Sequence, residues 1–130
     1  MTTDPARDWS PAWSPDGHQI AFLRGRGNGS SIYLVSVLTG GEKKLAEGDY
    51  RCCLNWSPDG KKLAYSGRES GNGPYSIWSL SVDTLEKQQL VQPAATSADY
   101  RPAYSPDGRH LAFFRDSPIF ALFVMRLPRG

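Results

Sequence analysis

The 130-residue sequence predicts an all-β protein, a partial β-propeller of about three four-stranded antiparallel blades with the last outer strand missing. Three observations predict it. A turn motif recurs three times, β-prone apolar segments follow each copy at matched spacing, and no stretch combines helical periodicity with caps. The copies are Trp13-Ser14-Pro15-Asp16-Gly17, Trp56-Ser57-Pro58-Asp59-Gly60 and Tyr104-Ser105-Pro106-Asp107-Gly108, whose starts lie 43 (56 − 13) and 48 (104 − 56) residues apart. A repeat of 40 to 50 residues is the period of one propeller blade.

Within each copy, proline presets the backbone angle at the second turn position, aspartate can bond back to nearby amides, and glycine accepts the left-handed conformation of a hairpin bulge. The first strand of each blade ends at the motif aromatic. The second carries Ile20-Ala21-Phe22, Leu63-Ala64-Tyr65 or Leu111-Ala112-Phe113, and the third Ser31–Val35, Ser76–Leu80 or Ala121–Met125. Ile, Val, Tyr and Phe suit these pleated positions. A fourth strand follows in two copies, because Leu45 lies 13 residues after Ile32 and Leu90 lies 13 after Ile77. Gly40 is eight residues past Ile32 and Gly130 eight past Leu122, so the chain stops at the turn before a last outer strand. Eleven strands are expected, in one domain over 1–130 with blade repeats at about 8–48, 49–97 and 98–130.

With the aromatic-Ser-Pro-Asp-Gly copies and the Ile-Ala-Phe, Leu-Ala-Tyr and Leu-Ala-Phe that follow them, the chain resembles the WD40-like repeat of TolB-type propellers, the PD40 type. The likeness extends to Pro11 and Pro102 two residues before the aromatic, where the second copy has Leu54, and to the Thr39-Gly40-Gly41 link, which the second copy replaces with Thr84-Leu85-Glu86. The resemblance implies a blade of inner, two middle and outer strands, and a noncatalytic module that binds a protein or peptide. It also implies two alternatives, the substrate-gating propeller of a prolyl-oligopeptidase-like or tricorn-like peptidase and the sensor part of a bacterial signalling protein. An open blade stack leaves unpaired edges and apolar faces. A piece of a longer protein is the favoured explanation, and self-association, with two copies completing a six-bladed ring, is the alternative.

Composition narrows the function. Fifteen basic and 13 acidic side chains give a formal charge of +2, scattered along the chain, which argues against nucleic acid. No apolar span reaches bilayer length, and Met1–Asp8 lacks the basic and apolar regions of a secretory signal. The compartment stays open, periplasmic if the parent is TolB-like. Cys52 and Cys53 are neighbours, so they form no disulfide framework; they read as two separate small apolar residues, with a vicinal disulfide or thiol switch as the alternative. Together with His18 and His110 they match no metal spacing, and neither a cofactor nor a metal is expected.

No catalytic set is expected either. Asp16, Asp59 and Asp107 recur in every copy, as a fold requirement does and a catalytic residue does not. The motif residues Trp13, Pro15, Asp16, Gly17, Trp56, Pro58, Asp59, Gly60, Tyr104, Pro106, Asp107 and Gly108 are therefore read as structural. His18 and His110 follow turn glycines, where exposure is expected, and no Gly-x-Ser-x-Gly elbow exists. Gly25–Gly29 and Gly71–Gly73 join two predicted strands each, which is the wrong context for a phosphate loop. The Asn28 and Asn55 glycosylation patterns are attributed to chance. What varies between repeats guides binding better: Arg7-Asp8-Trp9-Ser10, Gly48-Asp49-Tyr50-Arg51 and Ala98-Asp99-Tyr100-Arg101 lead into the inner strands at one rim of the channel. Trp9, Tyr50, Arg51, Tyr100 and Arg101 are the candidate interaction residues, since Trp, Tyr and Arg dominate interface hot spots. Packing and strand capping is the alternative role for the same five.

Overall fold

Eleven antiparallel strands build the fold in this computed structural model, which describes residues 7–26, 29–51, 53–68, 73–92, 97–116 and 120–128. The first blade contains β1 (Arg7–Trp13), β2 (Gln19–Arg26), β3 (Gly29–Ser36) and β4 (Glu42–Tyr50). The second contains β5 (Asn55–Trp56), β6 (Lys62–Arg68), β7 (Ser76–Ser81) and β8 (Lys87–Gln89), and the third β9 (Asp99–Tyr104), β10 (His110–Arg115) and β11 (Ala121–Arg126). Within each blade neighbouring strands pair in chain order, one further pairing joins the first two blades, and the third blade is a separate sheet. β4 pairs with β3 as far as Gly48, then Asp49 and Tyr50 pair with Arg68 and Gly67 of β6, so its end serves as the start of the second blade's inner strand. No helix in the described residues is long and apolar enough to cross a membrane.

The recurrent turn closes in the same way three times. The Asp16 carboxylate accepts from Ser14 Oγ at 2.6 Å and from the His18 amide at 2.9 Å, while the Gln19 amide donates to Ser14 Oγ at 3.1 Å. Asp59 and Asp107 repeat the first two bonds, with Oγ···Oδ1 again 2.6 Å. Gly17, Gly60 and Gly108 hold φ of 74, 75 and 74°, a left-handed region open to glycine without cost. These turns also lie close to one another along the blade stack: a Cβ at Gly60 would meet Pro15 at 3.8 Å, and one at Gly108 would meet Pro58 at 3.7 Å.

Packing lies between blades. One core joins Leu23, Ile32 and Leu34 of the first blade to Trp56, Leu63, Tyr65 and Leu80 of the second, and another joins Ala64 and Ile77 of the second to Leu111 and Phe113 of the third. The middle blade is covered on both faces, and β6 is buried without alternation from Leu63 to Gly67. Each fully buried Leu or Ile contributes about 1.5–3 kcal/mol. Where no neighbour stands, the same positions are open. Leu122, the counterpart of the fully buried Ile32 and Ile77, is 60% exposed, and Trp13 is 60% exposed while its counterpart Trp56 is 8% exposed. The motif aromatic therefore packs only where a preceding blade exists.

Candidate functional site

The rim at which the inner strands begin carries one ion pair per blade. Asp8 faces Arg24, Asp49 faces Arg68, and Asp99 faces Arg115 directly across the first two strands. The Nε–carboxylate distances are 2.8, 2.6 and 2.8 Å. Arg24 also reaches Glu42 at 3.0 Å. Hydrogen bonds donated to these carboxylates push all three guanidinium groups further toward the charged form. The leading aspartates are thus committed within their own blades. The repeated Arg toward the end of each second strand was the signal in the sequence that accompanied them.

Three residues before each motif aromatic, the inner strand bends through a left-handed residue: Ser10 (φ 56°), Cys53 (φ 73°) and Arg101 (φ 55°). In the outer two blades this coincides with a register shift in the pairing. Repetition of an uncommon conformation in a non-glycine residue marks it as part of the blade design. Cys53 takes part in a disulfide, which replaces the reading of the cysteines as separate apolar residues. The sequence holds one other cysteine, Cys52, which lies outside the described residues, as do Gly27, Asn28, Gly71 and Asn72 of the glycine-rich loops.

Of the five candidate interaction residues, Arg51 and Tyr100 meet at the side chain of Tyr75. Arg51 stacks its guanidinium over the Tyr75 ring at 4.7 Å, and the Tyr100 ring centre is 6.3 Å from that of Tyr75. Arg68 covers the Tyr75 ring as well, at 4.6 Å, and the Tyr75 hydroxyl donates to the Asp49 carboxylate at 2.9 Å. Burial, then the hydrogen bond it donates to Asp49, pushes the Tyr75 phenol up. Tyr75 escaped sequence reasoning because it precedes β7 and has no counterpart in the motif. Arg101 is exposed, and among the described residues neither it nor Arg51 forms an ion pair.

Trp9 and Tyr50 both make packing contacts within the blades. The Trp9 ring lies against Gly25, where a Cβ would meet it at 2.6 Å, and its indole donates to the Arg51 carbonyl at 3.0 Å. Tyr50 is only 5% exposed, edge-on to Tyr65 with ring centres 5.0 Å apart, and donates to the Glu47 carbonyl at 2.9 Å. It fits above Gly48 and Gly67, which leave it the space a side chain would take. His18 is exposed, while His110 is half-buried on β10 against the expectation of exposure. Asn55 accepts from the Tyr104 amide at 2.8 Å, a joint between blades that leaves its amide committed. Among the described residues no group of three or more His, Cys, Asp or Glu is placed to hold a metal.

Antiparallel blades stacked face to face, with a repeated hairpin turn and interblade cores, define an open β-propeller. The chain belongs to the family described as PD40, TolB beta propeller domain, whose model matches residues 1–122. It is similar to the uncharacterized peptidase YuxL of Bacillus subtilis, 29% identical over 82% of this chain and 22% of that protein. It is also similar to the Tol-Pal system protein TolB of Francisella tularensis, 26% identical over 83% of this chain and 25% of that protein. The crystal structure of TolB from Acinetobacter baumannii superposes with a TM-score of 0.80 at 24% identity, covering 95% of this chain and 31% of that one. The chain thus spans about a quarter of the length of these relatives.

Proposed function

We propose that this chain is a noncatalytic propeller module that takes a protein or peptide partner on the rim where its inner strands begin, through Arg51, Tyr100 and Arg101. One observation carries the reading: Arg51 is held by the Tyr75 ring and not by a carboxylate. The ring holds the guanidinium in place without neutralising it, so its positive charge stays available to a partner's carboxylate or carbonyl. Asp49 and Asp99, the nearby acids, are occupied by Arg68 and Arg115. The rim therefore selects acidic or carbonyl-rich peptides.

Selection of a phage-displayed random peptide library on the immobilised chain tests this. Recovered peptides should be enriched in Asp and Glu and lose at least tenfold in affinity for an Arg51→Ala/Tyr100→Ala/Arg101→Ala variant that melts at the wild-type temperature. Peptides that bind the variant equally well would sink the reading. The similarity to YuxL favours a second reading, a propeller that gates substrate for a peptidase domain. A serine-hydrolase domain on the same polypeptide, with peptide cleavage altered by the same triple variant, would establish it.

A further inference from the structure

The turn end of the stack, opposite that rim, holds a cleft of about 570 Å³ between the second and third blades. Its existence follows from two replacements. At the joint between the first two blades, Trp56 and Leu34 fill the corresponding space, each 8% exposed, and the Trp56 indole donates to the Ala12 carbonyl at 2.8 Å. At the next joint the aromatic is Tyr104 and the counterpart of Leu34 is Ser79, both of which line the cleft. A smaller ring and a missing isobutyl group leave an opening in the size range of small-ligand sites.

Charge gives that opening a preference. Lys61, Lys62, Arg109 and Arg126 line it together with the turn carboxylates Asp59 and Asp107, four cations against two anions, a surplus of +2. Each carboxylate already accepts two bonds from its own turn, from a serine hydroxyl and a backbone amide. Among the described residues none of the four cations forms an ion pair, whereas Arg24, Arg68 and Arg115 all do. Guanidinium and ammonium donors lining one cleft recognise oxyanions through charge-assisted bonds.

We infer that the cleft between the second and third blades is a binding site for a small organic polyanion carrying two or more carboxylate or phosphate groups, held by Lys61, Lys62, Arg109 and Arg126. Isothermal titration of the chain with citrate and with pyrophosphate, at 20 and 200 mM salt, tests it. Saturable one-to-one binding of at least one probe is expected, weakening at the higher salt as partly exposed charge pairs do. Saturation by citrate alone assigns carboxylates, and by pyrophosphate alone phosphates. Lys61→Gln/Arg126→Gln should lose at least tenfold in affinity, and Ser79→Leu, which restores the first blade's residue and fills the cleft, should abolish binding. Saturation by neither probe, or binding unchanged in both variants, would overturn the assignment.

Discussion

Asp99 and Arg115 face each other across the first two strands of the third blade with two parallel bonds, Nε to Oδ1 at 2.8 Å and Nη2 to Oδ2 at 3.1 Å. The Asp99 side chain is fully buried, because its backbone is also clamped between blades: its amide donates to the Tyr75 carbonyl and its carbonyl accepts from Ser66 Oγ at 2.6 Å. The same pair in the first blade is open, with Asp8 52% exposed. Removing one partner of a buried pair costs about 3–5 kcal/mol, an exposed pair about 0.2–1 kcal/mol. Arg115 is 21% exposed, which places its pair at the lower end of that range. Asp99→Ala should lower the unfolding free energy in urea by about 3 kcal/mol and Asp8→Ala by less than about 1 kcal/mol. Equal losses would show that burial does not decide the value of the pair.

Leu85 occupies the place of Gly40 in the link between third and fourth strands. Both are left-handed, φ 64° and 74°, and both amides donate back to the last strand residue, Leu85 to Ser81 and Gly40 to Ser36. A side chain in this conformation costs about 1–2 kcal/mol, part of which glycine returns as unfolded-state entropy. Leu85→Gly should therefore stabilise by about 0.5 kcal/mol, raising the melting temperature by about 2 °C, while Gly40→Leu should destabilise by about 1 kcal/mol. Calorimetry of both variants checks the sign.

The strands were legible because their determinants are local. Ser-Pro-Asp-Gly fixes a hairpin whatever surrounds it, and the matched spacing of Ile32 and Ile77 to Leu45 and Leu90 fixes the outer strands. Position in the stack was not legible. Nothing in Trp13 and Trp56 distinguishes an exposed ring from a buried one; a preceding blade does. Tyr50 looked like Tyr100 in sequence, each after an Asp. Yet Tyr50 turns inward over Gly48 and Gly67, whereas the third blade has Ala98 and Phe114 in the matching places. The Asp–Arg pairs join residues 16 to 19 apart, a separation that becomes a contact only once the hairpin register is known.

Trp56 marks the joint between the first two blades, and its role is separable from that of Trp13. The Trp56 ring belongs to the first core and its indole N–H donates across to Ala12, whereas Trp13 is 60% exposed. Trp56→Phe removes that bond, leaves the Ala12 carbonyl without its donor, and loses part of the ring's packing, a combined cost of about 2–3 kcal/mol. Trp13→Phe should cost less than about 0.5 kcal/mol. Fluorescence-detected unfolding of the two variants would reveal the difference; comparable losses would mean that Trp13 is covered in solution.

The three turn carboxylates make the fold sensitive to acid. Hydrogen bonds from Ser14, Ser57 and Ser105, then from the following amides, hold Asp16, Asp59 and Asp107 below the ordinary value of 3.8. A group lowered in the folded state binds its proton more readily when unfolded. Its contribution is therefore full above pH 3.8 and disappears as pH falls through the lowered value. Asp16→Asn/Asp59→Asn/Asp107→Asn keeps an acceptor oxygen in each turn but removes the charge, so the variant should melt below wild type at pH 6. That gap should close steadily from about pH 4 toward pH 2, as protonation makes the wild-type turns resemble the amides. A gap that stays constant over this range would mean that turn geometry, and not carboxylate charge, sets the stability of these hairpins.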